Sequence, residues 1–178
     1  MADYVYDKGK FRELVIYVAH RCANDDSFGD TRLNKVLFFS DCISLQNLGR
    51  PITGARYQKL PHGPAPRALL PVRDELIAAN EVRVKKVGRP ARTVTVPLRE
   101  PDLSRFREDE IAIVDEAIEL FKDKTAAHVS LTSHLSSPGW NLVELREDIP
   151  LESQFISMQA PSQETLARGR ELAEQYGW

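Results

Sequence analysis

The side chains that most often carry catalysis or bind metals are sparse in this chain of 178 residues. Only His128 and His134 share a predicted helix, and their spacing of six residues places the two rings on different faces. A joint metal site is therefore not expected there. The histidines and cysteines are His20, His62, His128, His134, Cys22 and Cys42.

No motif of a catalytic class is present. Covalent hydrolysis needs a nucleophile held beside a base, and metal catalysis needs ligands at fixed spacings. The sequence contains no G-x-S-x-G, H-E-x-x-H or C-x-x-C and no glycine-rich phosphate loop. Cys22 and Cys42 lie on apolar faces of predicted helices, where reduced thiols pack as small hydrophobic groups. We therefore predict a protein that is not an enzyme and has no cofactor and no metal.

The net charge of −2 conceals two halves of opposite sign. Residues 1–99 carry 17 Lys/Arg against 10 Asp/Glu, whereas residues 100–178 carry 7 against 16. The basic excess is concentrated between Arg50 and Arg92. This basic patch is open to two interpretations. It docks on the acidic half or is solvated, or it binds an acidic partner, nucleic acid included.

Length and hydropathy indicate one domain. A chain of 178 residues with 42% apolar residues is long enough for one sizeable core. The longest apolar run, VLFFSDCISL, is too short to span a bilayer, and the first residues lack the apolar segment of a signal peptide. We therefore predict a cytoplasmic protein without membrane partners.

Apolar periodicity predicts a mainly α fold of the α+β class. It is a compact helical domain with a central buried helix and a small antiparallel β-sheet or hairpin. A first amphipathic helix runs from about Phe11. The second, capped by Asp30 or Thr31 and ending near Leu48, is apolar around most of its circumference and belongs at the centre. Gly49 stops it in the C′ position and Pro51 prevents its continuation.

The stretch GRPITGARYQKLPHGPAP follows that helix. Residues 52–60 favour a short strand, and the three prolines of PHGPAP oppose regular strand pairing. Pro66 is predicted as an early residue of a third helix through Asn80, in which Pro71 causes a kink or delays the start. That helix is expected to bury Leu69, Val72, Leu76 and Ile77. The segments EVRVKKV and RTVTV then predict a β-hairpin.

The acidic half is predicted to be helical. A stripe of apolar residues predicts a helix over 108–121, and Thr125 starts another through about Leu135. A last helix runs from Pro161 to Tyr176 with a weak apolar stripe. We therefore divide the chain into a main domain of residues 1–160 and a loosely attached helix within 161–178.

The order helix, helix, strand, helix, hairpin resembles that of winged-helix proteins. The sequence KKVGRPAR would form the tip of the wing, and G-R-P is the centre of AT-hook peptides that enter the minor groove. An alternative function is therefore a DNA-binding regulator that uses this basic hairpin. A simpler interpretation is that Gly88 and Pro90 only make the turn.

Two segments carry a resemblance to a known family. The segment RLNKVLFFSDCISLQNLGRPITGARYQKLPHGPAPRAL, and the later SHLSSPGWNLVELREDIPLE, are similar to the signature of SocA-like antitoxins, the Panacea domain of bacterial and phage-associated proteins. His62 departs from the pattern, which has an aromatic residue before Gly-Pro. The matching residues include Leu33, Asn34, Lys35, Phe38, Asp41, Gly49, Pro51, Thr53, Gly54, Tyr57, Gly63, Pro64, Ser133, His134, Trp140, Ile149 and Pro150.

The resemblance implies an antitoxin of a toxin–antitoxin system. It neutralises a co-encoded toxin by direct binding, and for the SocA type as a proteolytic adaptor that delivers the toxin to ClpXP. Candidate partner-binding anchors are Arg50, Arg56, Tyr57, Arg67 and Arg89. Other motif positions are expected to form the scaffold, with Lys35 and Asp41 as a buried ion pair and Trp140 as a packed indole. The scaffold positions are Lys35, Asp41, Gly49, Pro51, Gly63, Pro64, His134 and Trp140.

Overall fold

The computed structural model describes residues 4–156 and 160–177. Its helices and small antiparallel sheets form a mainly α fold of the α+β class, which confirms the predicted class. The helices are α1 (Lys8–Arg21), α2 (Asp30–Leu48), α3 (Leu69–Ala78), α4 (Glu108–Phe121), α5 (Ala126–Leu135), α6 (Pro138–Leu142) and α7 (Gln163–Tyr176). The strands are β1 (Tyr57–Leu60), β2 (Gly63–Pro66), β3 (Val82–Val87), β4 (Arg92–Pro97) and β5 (Asp148–Ile149).

Helix α2 lies at the centre of the core, as its sequence predicted. It packs against α1, α4, α5 and β2, and it buries polar as well as apolar side chains. Its end is also as predicted, because Gly49 adopts a left-handed conformation with φ of 72°. Its start differs. Gly29 is the N-cap, and no side chain caps the helix, so neither Asp30 nor Thr31 has the predicted role.

The stretch PHGPAP does form a strand, contrary to the prediction. β2 pairs with β1 in antiparallel register, and β5 pairs with the other side of β1. The backbone N–H of Arg67 donates to the carbonyl of Arg56. In an antiparallel pair, this bond means that the backbone N–H and C=O groups of every second residue of β2 point toward β1. Pro64 and Pro66 occupy the alternate positions, which face away from β1 on an edge strand. Their missing N–H groups therefore cost no ladder hydrogen bonds.

Helix α3 begins later than predicted. Pro66 belongs to β2, and Pro71 lies in the first turn of α3, where its missing N–H has no partner to lose. Leu69, Val72 and Leu76 are buried as expected, but Ile77 is exposed. The predicted hairpin is confirmed, and β3 and β4 form a two-stranded sheet of their own.

The acidic half follows the predicted boundaries closely. Helix α4 buries the stripe that includes Val114, Ala117 and Phe121, and Thr125 caps α5. Helix α7 has no buried residue. The division of the chain at residues 160 and 161 stays a prediction. Across the two described ranges, no helix is long and apolar enough to cross a membrane.

Phe38 on α2 offers a test of this core. Its side chain is fully buried and makes edge contacts with Phe39 and Tyr57 at centroid distances of 5.3 and 5.1 Å. Phe38→Ala should lower the free energy of unfolding by about 3–5 kcal/mol, because it removes buried area and leaves a cavity. The exposed Leu70 on α3 is a control, since Leu70→Ala should change it by less than about 0.5 kcal/mol. Urea unfolding measures both, and equal effects would contradict a core centred on α2.

Candidate functional site

The carboxylate of Asp41 is fully buried and joins α2 to Thr53 of the GRPITG motif and to Tyr57 of β1. It accepts hydrogen bonds from the backbone N–H of Thr53 at 2.8 Å and from the Thr53 hydroxyl at 2.6 Å. The Tyr57 hydroxyl lies 2.8 Å from Asp41 Oδ2 and 2.8 Å from the carbonyl of Leu37. Burial raises the pKa of Asp41, and burial together with the Asp41 charge raises the pKa of Tyr57 well above its usual range. These groups therefore act as scaffold.

Tyr57 requires a correction as a partner-binding candidate. Its side chain is only 1% exposed and contacts Phe38 in the core. Its side chain fixes β1 against α2 and offers almost no surface to a partner, although the residue borders a groove described below. Tyrosine is favoured in strands whether its side chain is buried or exposed, so the sequence could not distinguish a core position from a partner-binding position.

Lys35 is the second buried motif residue, and it does not pair with Asp41 as predicted. Its ammonium donates to the carbonyl of Pro64 at 3.0 Å, and no carboxylate among the described residues lies within ion-pair distance. Burial lowers the pKa of the Lys35 ammonium to about 7. Because the prolines of β2 turn their carbonyls away from β1, Pro64 is free to accept this bond.

Gly63 allows β2 to approach Lys35. Its φ is 98°, and a Cβ at this position would lie 2.9 Å from Lys35 Nζ and 2.3 Å from Ser133 Oγ. The motif Gly-Pro pair therefore has two separate reasons for its residue types. Glycine allows β2 to approach Lys35 closely. Proline offers its backbone carbonyl as an acceptor and has no N–H group that would need a partner.

The later motif segment meets the first one at the same place. His134 stacks on Trp140 with ring centroids 3.8 Å apart, and Trp140 Nε1 donates to the carbonyl of Leu60 at 3.1 Å. Lys59 Nζ lies 4.5 Å from the centroid of the Trp140 ring. Burial and the positive charges of Lys35, His62 and Lys59 lower the pKa of His134. Trp140 is only partly buried, and its contacts with Leu60 and His134 connect the two motif segments.

The chemistry available at this cluster is limited. The hydroxyl of Ser133 is buried and donates to the carbonyl of Ser130 at 2.7 Å. Burial raises the pKa of Cys22 to about 11 and that of Cys42 well above its usual range, which disfavours their nucleophilic thiolates. Over residues 4–156 and 160–177, no group of three or more His, Cys, Asp or Glu side chains is arranged to hold a metal ion.

The four arginines predicted as anchors do not form one surface. Arg50 forms an ion pair with the buried Glu110 of α4 at 3.1 Å. Arg56 and Arg67 both pair with Asp148 of β5. Arg89 is exposed at the tip of the hairpin. The basic and acidic halves therefore do attract one another at these contacts, although the side chain of Arg56 remains 76% exposed.

Two neighbouring grooves form a surface that the sequence did not predict. One, of about 390 Å³, is lined by Arg56 and Asp148 and by the segment from Ile149 to Glu152. The other, of about 570 Å³, is lined by Leu142, Val143, Ile156 and again by Pro150 and Glu152. Because Pro150 and Glu152 border both, we call the two together the paired groove. Several apolar side chains in or beside it are exposed, namely Leu142, Leu145, Phe155 and Ile156.

A comparison with protein families identifies the family to which the two motif segments belong. A family model described as antitoxin SocA-like, Panacea domain, matches residues 33–141. The chain belongs to this family. The Panacea match contains all eight predicted scaffold residues, whereas Asp148 and most of the apolar groove lie beyond it. Curated proteins and solved structures gave no match to the chain.

The buried Lys35 predicts a distinctive dependence of stability on pH. The folded pKa is about 7 and the ordinary value is 10.5, so between these values the unfolded chain binds more protons. The contribution of Lys35 to the free energy of unfolding should therefore rise with pH over this range, by up to about 1.4 kcal/mol per pH unit. The rise should be clearest below about pH 9, where the raised pKa values of Cys22 and Cys42 do not yet oppose it. Lys35→Met should remove that rise, and Lys85→Met, at an exposed position on β3, should keep it. Urea unfolding across this pH range measures the slope, and an unchanged slope in Lys35→Met would contradict the assignment.

Proposed function

We propose that this protein is an antitoxin that binds a co-encoded toxin directly through the paired groove. Membership of the Panacea family, which is described as antitoxin-like, supports the antitoxin role. The shape and composition of the paired groove support its use as the binding surface. It combines exposed apolar side chains with a rim that carries Arg56, Arg67 and Asp148.

The arrangement has the anatomy of a protein–protein interface. Such interfaces bury an apolar centre that supplies affinity, and their charged rims favour fast association and partner selection. Leu142 and Ile156 are 63% and 48% exposed, so burying them under a partner removes apolar area from water. The adjacent β1 is rigidly held by the Asp41 network, so the rim is attached to a fixed scaffold.

A second part of the proposal concerns what happens to the toxin after it is bound. We propose, from the resemblance to SocA, that the bound toxin is delivered to ClpXP for degradation. The half-life of the toxin in cells should then shorten when this protein is present and ClpXP is active. If the half-life is unchanged while growth is restored, neutralisation proceeds by occlusion of the toxin instead.

The basic hairpin is not proposed as a DNA-binding site. Lys86 contacts the Thr93 hydroxyl within the hairpin, and Arg92 donates to the carbonyls of Asp26 and Phe28. Two of its cations are thereby used to hold the hairpin together and against the loop before α2. No structural contact favours DNA over a protein partner.

Co-expression tests the proposed function and its surface together. This protein should relieve the growth arrest caused by the product of a neighbouring gene and should co-purify with it. Leu142→Asp with Ile156→Asp should weaken the complex at least about tenfold, because charge in an apolar interface centre remains unpaired. Leu70→Asp, on an exposed leucine of α3, should bind as the wild type does. Full rescue by the double variant would contradict the surface, and failure against every neighbouring product would contradict the function.

The rim arginines predict an effect on association kinetics. Arg56→Glu with Arg67→Glu should slow toxin association and reduce its dependence on salt, because both changes reverse charge at the rim. These pairs with Asp148 are exposed, so the double variant should lose little thermal stability. Arg83→Glu with Lys85→Glu, at exposed hairpin positions, is the matched control. Thermal melts and stopped-flow measurements of association distinguish a binding role from a structural one. Unfolding of the first variant would show that these arginines stabilise the fold instead of binding the toxin.

A further inference from the structure

A third cavity, separate from the paired groove, lies where the hairpin crosses the beginning of α2. Its volume is about 720 Å³, which is within the range of small-molecule sites. The wall includes Thr31, Arg32, Arg92, Ser130 and both His62 and His134. It shares no lining residue with the paired groove, so the toxin-binding proposal does not use it.

The beginnings of two helices border this cavity. Helix α2 has 19 residues, and its first turn, from Asp30, carries N–H groups that no side chain caps. Ala126 and Ala127, at the start of the ten-residue α5, also line the cavity, and Thr125 caps this helix by accepting from the backbone N–H of His128. The N-terminal ends of helices carry partial positive charge and exposed N–H donors, both of which suit an anion.

Two arginines line the wall. Arg32 is 2% exposed and is held by Asp25, the Ser27 hydroxyl and the carbonyl of Lys124, while its Nε is buried with no hydrogen-bond partner among the described residues. Arg92 adds a full positive charge, because its Nε donates to the carbonyl of Phe28 at 3.0 Å and it contacts no carboxylate within the described part of the chain. Of the described residues that line the cavity, Asp30 alone carries a carboxylate, and it faces Arg73 at 2.7 Å.

Further positive charge lies behind the wall. Lys35 donates to the carbonyl of Pro64, and Lys59 donates to the carbonyl of Val143 at 2.8 Å. Carbonyl dipoles satisfy these hydrogen bonds without neutralising the charge, although the Lys35 ammonium, with a pKa of about 7, is only partly charged at neutral pH. Burial, and after it the nearby positive charges of Lys35, His62 and Lys59, lower the pKa of His134 in the wall.

We propose that this cavity binds a phosphate group, either free or carried on a small organic molecule. The phosphate would lie between the first turn of α2 and Arg92. The apolar part of the wall, which includes Pro90, Ala91 and Leu131, would contact an organic body. Binding would tie the hairpin to α2 and α5, the three elements that form the wall.

Isothermal titration of the full chain with inorganic phosphate, AMP and adenosine tests the proposal. Phosphate or AMP should bind saturably at one site per chain, and adenosine at least about tenfold more weakly than AMP. Tighter binding of AMP than of phosphate would indicate an organic carrier, and equal binding would indicate free phosphate. The proposal is overturned if neither anion saturates in the millimolar range, or if adenosine binds as tightly as AMP.

A matched pair of hairpin variants separates a built site from diffuse charge. Arg92→Gln should weaken binding of the better of the two anions about tenfold, whereas Arg89→Gln, at the exposed tip, should weaken it less than about twofold. Equal weakening by both would overturn the proposal.

A third variant keeps the test decisive if loss of Arg92 unfolds the hairpin. Ala127→Glu introduces a carboxylate into the wall at an exposed position in the first turn of α5, where an acidic side chain favours the helix. It should melt at or above the wild-type temperature and bind the anion about tenfold more weakly. Unchanged affinity in this variant would also overturn the proposal.

Discussion

The fold depends on a buried carboxylate that forms no ion pair with any described residue. Asp41 lies inside the central helix, and its charge is satisfied by three donors, two from Thr53 and one from Tyr57. An unsatisfied carboxylate in this position would cost several kcal/mol, so the GRPITG turn and β1 must both be in place when α2 is packed. β1 in turn pairs with β2 and β5. The edge of the paired groove that carries Asp148 is therefore fixed, through β1, to the centre of the core.

Two sets of cations in the chain differ in the acceptors that they meet. Arg50, Arg56 and Arg67 meet carboxylates of the acidic half and join the two halves of the sequence. Among the described residues, Lys35 and Arg92 donate to backbone carbonyls and to no carboxylate, which orients the charge without neutralising it. The first set adds contacts between the two halves, of which the exposed pairs with Asp148 contribute little stability, and the second leaves some positive charge beside α2.

The regular parts of the fold could be predicted because local signals determine them. The bounds of α2, the left-handed Gly49, the hairpin and the stripe on α4 follow from periodicity and residue type. The strand β2 could not, because its prolines are acceptable only on the side away from β1, and the pairing partner lies outside the segment. The burial of Tyr57 and the carbonyl partner of Lys35 were missed for the same reason. The paired groove combines residues 54–57 with 139–156, and no spacing in the sequence indicates that meeting.

The crowding around Gly63 has a consequence for how this sequence can change over time. Any side chain there would collide with Ser133 and Lys35, and the left-handed backbone would oppose it independently. Shortening Lys35 relieves the collision but leaves the carbonyl of Pro64 without its donor, and shortening Ser133 opens a void. Each single step is therefore unfavourable, and joint replacement of Lys35 and Ser133 would relieve the collision but not the backbone strain at Gly63. We therefore expect sequences that keep this fold to retain glycine at this position and to change the other two positions together.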